Sequence, residues 1–215
     1  DFSLKGVTSI SADFHKYGNS PKGASSILYK NKDLMKYQYF IDETWSGGIY
    51  ASSGFSGSRC GNIVALTWAT LMYYGIDTYT SNYTKIIEIR KHLVNKINSL
   101  EGLFVFGDPK LSIVGVGSTK LNVNVIAEEI KKRGWSINVI QNPNGFHFCI
   151  TSYHTIKIIN NFVEDLKNVI SFINKNKTGE VKYSPCIYGT MSKINDSNIM
   201  KDVISDYLHI INGAI

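Results

Sequence analysis

An α/β fold is what this sequence predicts, and three observations lead there. Short runs rich in β-branched and aromatic residues are bounded by Gly, Pro, Asn and Ser clusters, which mark strands and turns. Longer runs carry apolar residues at spacings of three and four with charges opposite, the period of a helix with one buried face. From Leu103 onward the two kinds alternate, the order expected when helices pack against a sheet. No repeat, heptad run or low-complexity tract interrupts the pattern. With 215 residues, 43% hydrophobic and 12% aromatic, the chain has enough apolar surface for a substantial core, which excludes disorder as its general state.

The first strand is expected at residues 7–11, carried by Val7 and Ile10, and the second at 25–29. A Gly/Ser-rich loop at 46–61 leads into a helix at 63–74, whose near-continuous apolarity predicts burial. The next helix lines up Tyr83, Ile86, Ile87, Arg90, Leu93, Val94, Ile97 and Leu100, and Gly102 ends it. Strands follow at 103–106, 111–115, 136–139 and 147–152. Between the second and third of these, Val125, Ile126 and Ile130 face inward on a helix stopped by Gly134. A longer helix sets Ile159, Phe162, Val163, Leu166, Val169, Ile170 and Ile173 in register. The last uses Ile199, Val203, Ile204, Tyr207, Leu208 and Ile211, with Ser197 as its N-cap. All these stripes are expected to be core, with a smaller α/β domain from Leu103 onward packed against the first.

Charge and cysteine usage exclude several functions. The net charge of +6 is spread over helix surfaces, as in Lys131-Lys132-Arg133 and Lys175-Asn176-Lys177, without a groove-reading motif, so nucleic acid is not an expected partner. Cys60, Cys149 and Cys186 are odd in number and lack metal-ligand spacing, which predicts neither disulfides nor a metal site but small buried apolar roles. A thiol nucleophile built from Cys60 with His147 or His15 is set aside, because no protease signature surrounds them. No apolar run approaches a bilayer-spanning length and Asp1-Phe2-Ser3-Leu4-Lys5 lacks the shape of a signal peptide, so a soluble segment is expected.

Chemistry concentrates in Ser11-Ala12-Asp13-Phe14-His15-Lys16-Tyr17 and the following turn, Gly18-Asn19-Ser20-Pro21-Lys22-Gly23. A lysine fixed at a strand end, partly desolvated beside an aromatic ring, loses its proton more readily and attacks a carbonyl to form a Schiff base. On spacing alone, Lys16 and Lys22 read first as solvated surface charges, and His15 reads equally as a structural histidine. The glycines from Gly47 to Gly61 either turn the chain or, just before a helix, offer backbone N–H groups to an anion.

Further blocks weigh between these readings. They are Tyr37-Gln38-Tyr39-Phe40, Trp45-Ser46-Gly47-Gly48-Ile49-Tyr50-Ala51-Ser52 and Gly57-Ser58-Arg59. Later come Gly102-Leu103-Phe104-Val105-Phe106-Gly107-Asp108-Pro109, Lys132-Arg133-Gly134-Trp135, His147-Phe148-Cys149-Ile150-Thr151 and Ile187-Tyr188-Gly189. In this order, over nearly the whole chain, they resemble the sphingosine-1-phosphate lyase family of pyridoxal-phosphate (PLP) enzymes, within the group II decarboxylase superfamily. Two positions depart from the family pattern: Cys60 stands where proline is usual, and Phe14 where a small polar residue is common.

The resemblance implies the C-terminal part of a fold type I PLP-dependent enzyme. Residues 1–77 would end the PLP-binding large domain and 78–215 would form the small C-terminal α/β domain. PLP is the implied cofactor, joined to Lys16, whose amine is neutral when it reacts and later shuttles a proton. His15, Gly57 and Ser58 are implied at the cofactor phosphate, the last two reaching across a homodimer interface. Lys22 is implied at the substrate phosphate, with Tyr50 facing the same pocket. Arg59 is implied as a phosphate or carboxylate ligand, or else as a buried ion-pair partner. Asp13 is read as a structural acceptor, since the family's ring-nitrogen carboxylate comes from earlier strands.

The implied activity is retro-aldol cleavage of a phosphorylated sphingoid base to a fatty aldehyde and phosphoethanolamine. The implied location is the cytosolic face of the endoplasmic reticulum membrane, or the cytoplasm as for bacterial relatives. Two other readings stay open: a PLP-dependent amino-acid decarboxylase, which would not need Lys22, and a non-catalytic fragment or interaction subunit. The second arises because strands at 7–11 and 25–29 alone would have exposed edges, so the chain is expected to be part of a longer protein.

Overall fold

The computed structural model of the chain describes residues 1–175 and 197–213. Its internal contacts divide it into two units, Asp1–Thr80 and Ser81–Ile215.

In the first unit, β1 (Ser9–Asp13) pairs antiparallel with β2 (Ser25–Tyr29), with Ser9 opposite Tyr29 and Asp13 opposite Ser25. The strand therefore starts and ends two residues later than the apolar pattern suggests. The reason lies in the backbone: Val7 N–H is spent on the Leu4 carbonyl in a turn, while the ladder with β2 runs on through Asp13. A short helix, α1 (Lys32–Met35), follows, capped by the Asn31 side chain accepting from Leu34 N–H. After a 3-10 turn at Lys36–Gln38, β3 (Phe40–Asp42) pairs antiparallel with β4 (Tyr50–Ser52). This hairpin falls partly inside the segment expected as plain loop. Aromatic packing holds it, with the Tyr50 ring 6.1 Å from Phe40 and 5.9 Å from Trp45.

The helical segment α2 (Gly61–Asn98) is two helices joined at Gly75, whose φ of 63° and ψ of 167° no helical residue adopts. Its beginning corrects an expectation. Val64 and Trp68 are 63% and 65% exposed, so the apolarity of 63–74 does not produce burial in this chain. Among the described residues of this unit, too few pack on the helix to cover a surface that is apolar all round.

The second unit is built on a four-stranded antiparallel sheet in the order β5-β6-β8-β7. The strands are β5 (Leu103–Val105), β6 (Ile113–Ser118), β7 (Asn138–Ile140) and β8 (Gly145–Cys149). Helix α3 (Val123–Lys132) starts at the Asn122 cap, and Gly134 follows it with φ of 90°. Helix α4 (Ile156–Lys175) turns Ile159, Phe162, Leu166 and Val169 fully inward, as their spacing predicts. Leu93 and Ile97 of α2, Val114 and Val116 of β6, Ile126 and Ile130 of α3, and Phe146 of β8 complete this core. Phe148 and Phe162 stack with centroids 4.6 Å apart, each contributing about 1.5–3 kcal/mol by burial.

Three of the four strands of this sheet are displaced from the expected positions. For β6 and β8 the glycines explain the shift: Gly115, Gly117 and Gly145 lie inside these strands, where Phe104 and Phe106 occupy the space their side chains would need. A Cβ at Gly117 would sit 2.5 Å from the Phe104 ring, and one at Gly145 would sit 2.6 Å from Phe106.

Helix α5 (Ser197–Ile211) forms where expected but its stripe is not core: Val203 and Tyr207 are 57% and 61% exposed. No described element of the unit buries that face. Cys60 and Cys149 are free and exposed rather than buried, one preceding α2 and the other ending β8. Cys186, Lys177, the Ile187-Tyr188-Gly189 block and the capping side chain of Ser197 lie outside the described residues. Among those described, no helix is long and apolar enough to cross a membrane.

Candidate active site

The end of β1 and the turn after it form a tightly bonded loop. Lys16 N–H donates to the Asp13 carbonyl at 3.1 Å, Asn19 N–H to the Lys16 carbonyl at 3.1 Å, and Ser20 N–H to the Phe14 carbonyl at 3.0 Å. Gly18 is required by this path, because a Cβ there would lie 2.7 Å from the Phe14 carbonyl oxygen. His15 is tied to the start of β2: its N–H donates to the Ala24 carbonyl at 3.2 Å, and its Nδ1 bonds the same oxygen at 2.9 Å. A carbonyl only accepts, so Nδ1 carries the hydrogen. Nε2 is left as the ring's remaining nitrogen, 4.0 Å from Asp13 Oδ2.

Lys16 Nζ is 2.9 Å from the same Asp13 oxygen. Its bond to Lys16, and then one to Ser25, hold the Asp13 carboxyl below the usual carboxylate range. The carboxylate in turn raises the Lys16 ammonium above the ordinary lysine value. The free Lys16 side chain is 64% exposed and paired with Asp13, where partial desolvation was expected. Asp13 accepts hydrogen bonds, as read from the sequence, and pairs with the lysine ammonium.

Lys16 and Asp13 line a concavity of about 520 Å³ with Phe14, Gly18, Leu71 and Tyr79. Tyr79 closes it by donating its hydroxyl to the Gly18 carbonyl at 2.7 Å, and burial, then the nearby Tyr74, push its phenol upward. A second concavity, about 660 Å³, shares Phe14 and Leu71 and is lined also by Ser25, Arg59, Ile63 and Trp68. There Arg59 donates to the Ser25 carbonyl at 3.1 Å and to Ser56 Oγ at 3.4 Å. Within this chain Arg59 is exposed and bonded to neutral oxygens.

The other sequence-derived candidates stand apart. Lys22 is exposed on the turn closed by Gly23, whose φ is 93°. Tyr50 packs on Trp45 and Phe40 and lines neither concavity. Gly57, at φ of 64°, and Ser58 are exposed in the loop before α2 and also line neither. Within this chain, then, Lys16 pairs with Asp13, which His15 Nε2 approaches at 4.0 Å, Arg59 meets the start of β2, and Lys22, Tyr50, Gly57 and Ser58 do not line the concavity at Lys16. Sequence reasoning missed the Lys16–Asp13 pair, although a three-residue offset is a readable signal for one; Tyr79, 61 positions from its partner Gly18, leaves none. Among the described residues, no cluster of His, Cys, Asp or Glu is suited to a metal ion.

As an attachment point for an aldehyde cofactor the site fits: one lysine, accessible at the rim of a concavity, with the adjoining His15 anchored to Ala24. The phosphate ligands implied by resemblance are not assembled around it in the single chain.

No protein-family model matches the sequence. Whole-protein comparison is informative: the chain is 38% identical over 209 residues to sphingosine-1-phosphate lyase 1 of Rattus norvegicus, a match spanning 97% of this chain and 37% of that protein. It is 38% identical over 208 residues to a probable sphingosine-1-phosphate lyase of Legionella pneumophila, covering 89% of this chain and 34% of that one. The chain thus spans well under half the length of the curated relatives it matches. Among solved structures, the sphingosine-1-phosphate lyase of Burkholderia pseudomallei superposes with a TM-score of 0.72 at 30% identity, over 84% of this chain and 44% of that one. The glutamate decarboxylase of Lactobacillus brevis, at 18% identity and a TM-score of 0.63 over 81% of this chain and 42% of that one, shares the fold. The fold is that of the C-terminal part of a fold type I PLP-dependent enzyme.

Proposed function

We propose, for a chain homologous over nearly its whole length to part of the sphingosine-1-phosphate lyases, that it carries the cofactor lysine of a PLP-dependent carbon–carbon lyase. The observation that supports this best is Lys16 itself: it falls inside the matched region and stands at the rim of a concavity on the turn after β1. PLP, when bound, supplies the electron sink that makes a bond next to an amine-bearing carbon breakable. The substrate is a phosphorylated sphingoid base, and the products are a fatty aldehyde and phosphoethanolamine.

The chain's own residues would act as follows. Lys16 joins the cofactor through Nζ and, when freed, carries protons at that atom. His15, with Nδ1 committed to Ala24, has only Nε2 to offer the cofactor phosphate, and Nε2 donates only when the ring is protonated. Lys22 presents a compact positive charge to the substrate phosphate. Arg59 adds a second cation, and Tyr50 lines the substrate side. Gly57 and Ser58 serve the cofactor phosphate of a second protomer; their exposure, away from their own chain's Lys16 concavity, supports a shared site in a homodimer. The division of labour at residues 1–77 and 78–215 follows the same reading, as does placement at the cytosolic face of the endoplasmic reticulum membrane.

The test is product analysis with the complete protein that contains this chain. Aldehyde and phosphoethanolamine should appear in equal amounts from a phosphorylated sphingoid base, and Lys22→Ala should lower this release by on the order of tenfold or more. Carbon dioxide from aromatic amino acids or glutamate, unaffected by Lys22→Ala, would replace this reading with a decarboxylase.

A further inference from the structure

One carboxylate governs the state of Lys16. Asp13 lies opposite Ser25 in the pairing of β1 with β2, so its position is set by strand register rather than by the turn that carries the lysine. It grips Lys16 twice, through its carbonyl to the Lys16 N–H at 3.1 Å and through Oδ2 to Nζ at 2.9 Å. The groups around the concavity add no rival: Tyr17 comes from the same turn, Leu71 and Tyr79 from α2, and Asp13 and Lys16 are the charged residues lining it. His15, with Nε2 4.0 Å from Oδ2, shares the carboxylate more loosely.

With Lys16 taken as the cofactor lysine, as proposed above, we infer that Asp13 is its positioning residue: the carboxylate parks the free side chain as an ammonium at the rim of the concavity and sets the pH above which it becomes a nucleophile. Only the neutral amine has a lone pair to add to an aldehyde carbon. The extra proton leaves to solvent first; condensation then forms the carbon–nitrogen double bond and releases the aldehyde oxygen as water with the two remaining nitrogen hydrogens. A carboxylate at 2.9 Å favours the charged form and so opposes the first of these losses. The same contact returns a long flexible side chain to one place each time it is freed, which shortens its search for the reacting carbon.

The experiment is a pH titration of the Lys16 side chain in the complete protein that contains this chain, freed of cofactor and carbon-13 labelled at the lysine ε carbons, with the resonance assigned by its loss in Lys16→Arg. Asp13→Asn should move the midpoint down by on the order of half a pH unit or more, and Asp13→Glu should keep it near the parent value. The pH at which pyridoxal phosphate half-modifies Lys16, read by borohydride reduction and peptide mapping, should fall in parallel. An unchanged midpoint in folded Asp13→Asn overturns the inference. Should that variant not fold, salt decides: screening the pair in the parent chain must lower the Lys16 midpoint, and a salt-independent midpoint overturns the inference equally. A shifted midpoint with no aldehyde capture at any pH supports the Asp13 pairing while contradicting the cofactor assignment of Lys16.

Discussion

At the scale of single residues, the turn after β1 is a small charge circuit. Asp13 faces Lys16 directly and His15 at longer range, and His15 is anchored by Nδ1 to Ala24. Because the folded Asp13 carboxyl is lowered, its contribution to stability is complete above the ordinary carboxylate range and is lost as pH falls through the folded value. Because Lys16 is raised, its contribution is complete below the ordinary lysine range and is lost as pH rises through the folded value. The pair is therefore intact across neutral pH, and the ordering of the turn, followed by amide exchange at Ser20, should weaken at both extremes. The anchoring of His15 gives a second expectation: His15→Gln should lower affinity for pyridoxal phosphate, measured by equilibrium dialysis, by on the order of tenfold. Lys16, Lys22 and His15 were legible in the sequence as a motif, and the lysine's charge was not. The pairing depends on where the turn places the Asp13 carboxylate, 2.9 Å from Nζ, which the motif alone does not show.

At the scale of elements, glycine marks where reading succeeded and where it failed. Gly134 closes α3 as expected, with φ of 90°, whereas α2 ends at Asn98 and Gly102, with φ of 84°, lies in the turn between Leu100 and Leu103. Gly115, Gly117 and Gly145 resemble turn residues in sequence, yet each sits within a strand beneath a phenylalanine ring. That is why the expected strands slid by a few residues while their number and order were right. Gly117→Ala should cost about 1–3 kcal/mol in chemical denaturation by driving a methyl group into Phe104 and Phe106. Gly18→Ala should instead distort the lysine turn, lowering the rate of aldehyde capture at Lys16 while leaving the second unit's unfolding unchanged. The hairpin of β3 and β4 escaped detection because each strand has three residues, too few for an alternating pattern, and its aromatic contacts are visible only in three dimensions.

For the chain as a whole, periodicity identified which faces are apolar and did not identify what covers them. In α4 the apolar stripe is core, and Leu166→Ala should cost about 2–5 kcal/mol. In α5 and at the start of α2 an equally apolar pattern is exposed, so Tyr207→Ser and Trp68→Ser should change the stability of the isolated chain by no more than about 0.5 kcal/mol. Calorimetry of the three variants separates the two cases. The same holds beyond packing: the match covers 37% of a relative's length, and within this chain the concavity at Lys16 is not lined by Gly57 or Ser58. The most direct measurement of the central claim is covalent capture: incubate the complete protein with pyridoxal phosphate, reduce with borohydride, and map the modified peptide. The account predicts a single stoichiometric adduct on Lys16 that disappears in Lys16→Ala; adducts scattered over the surface lysines, or turnover persisting in Lys16→Ala, would contradict it.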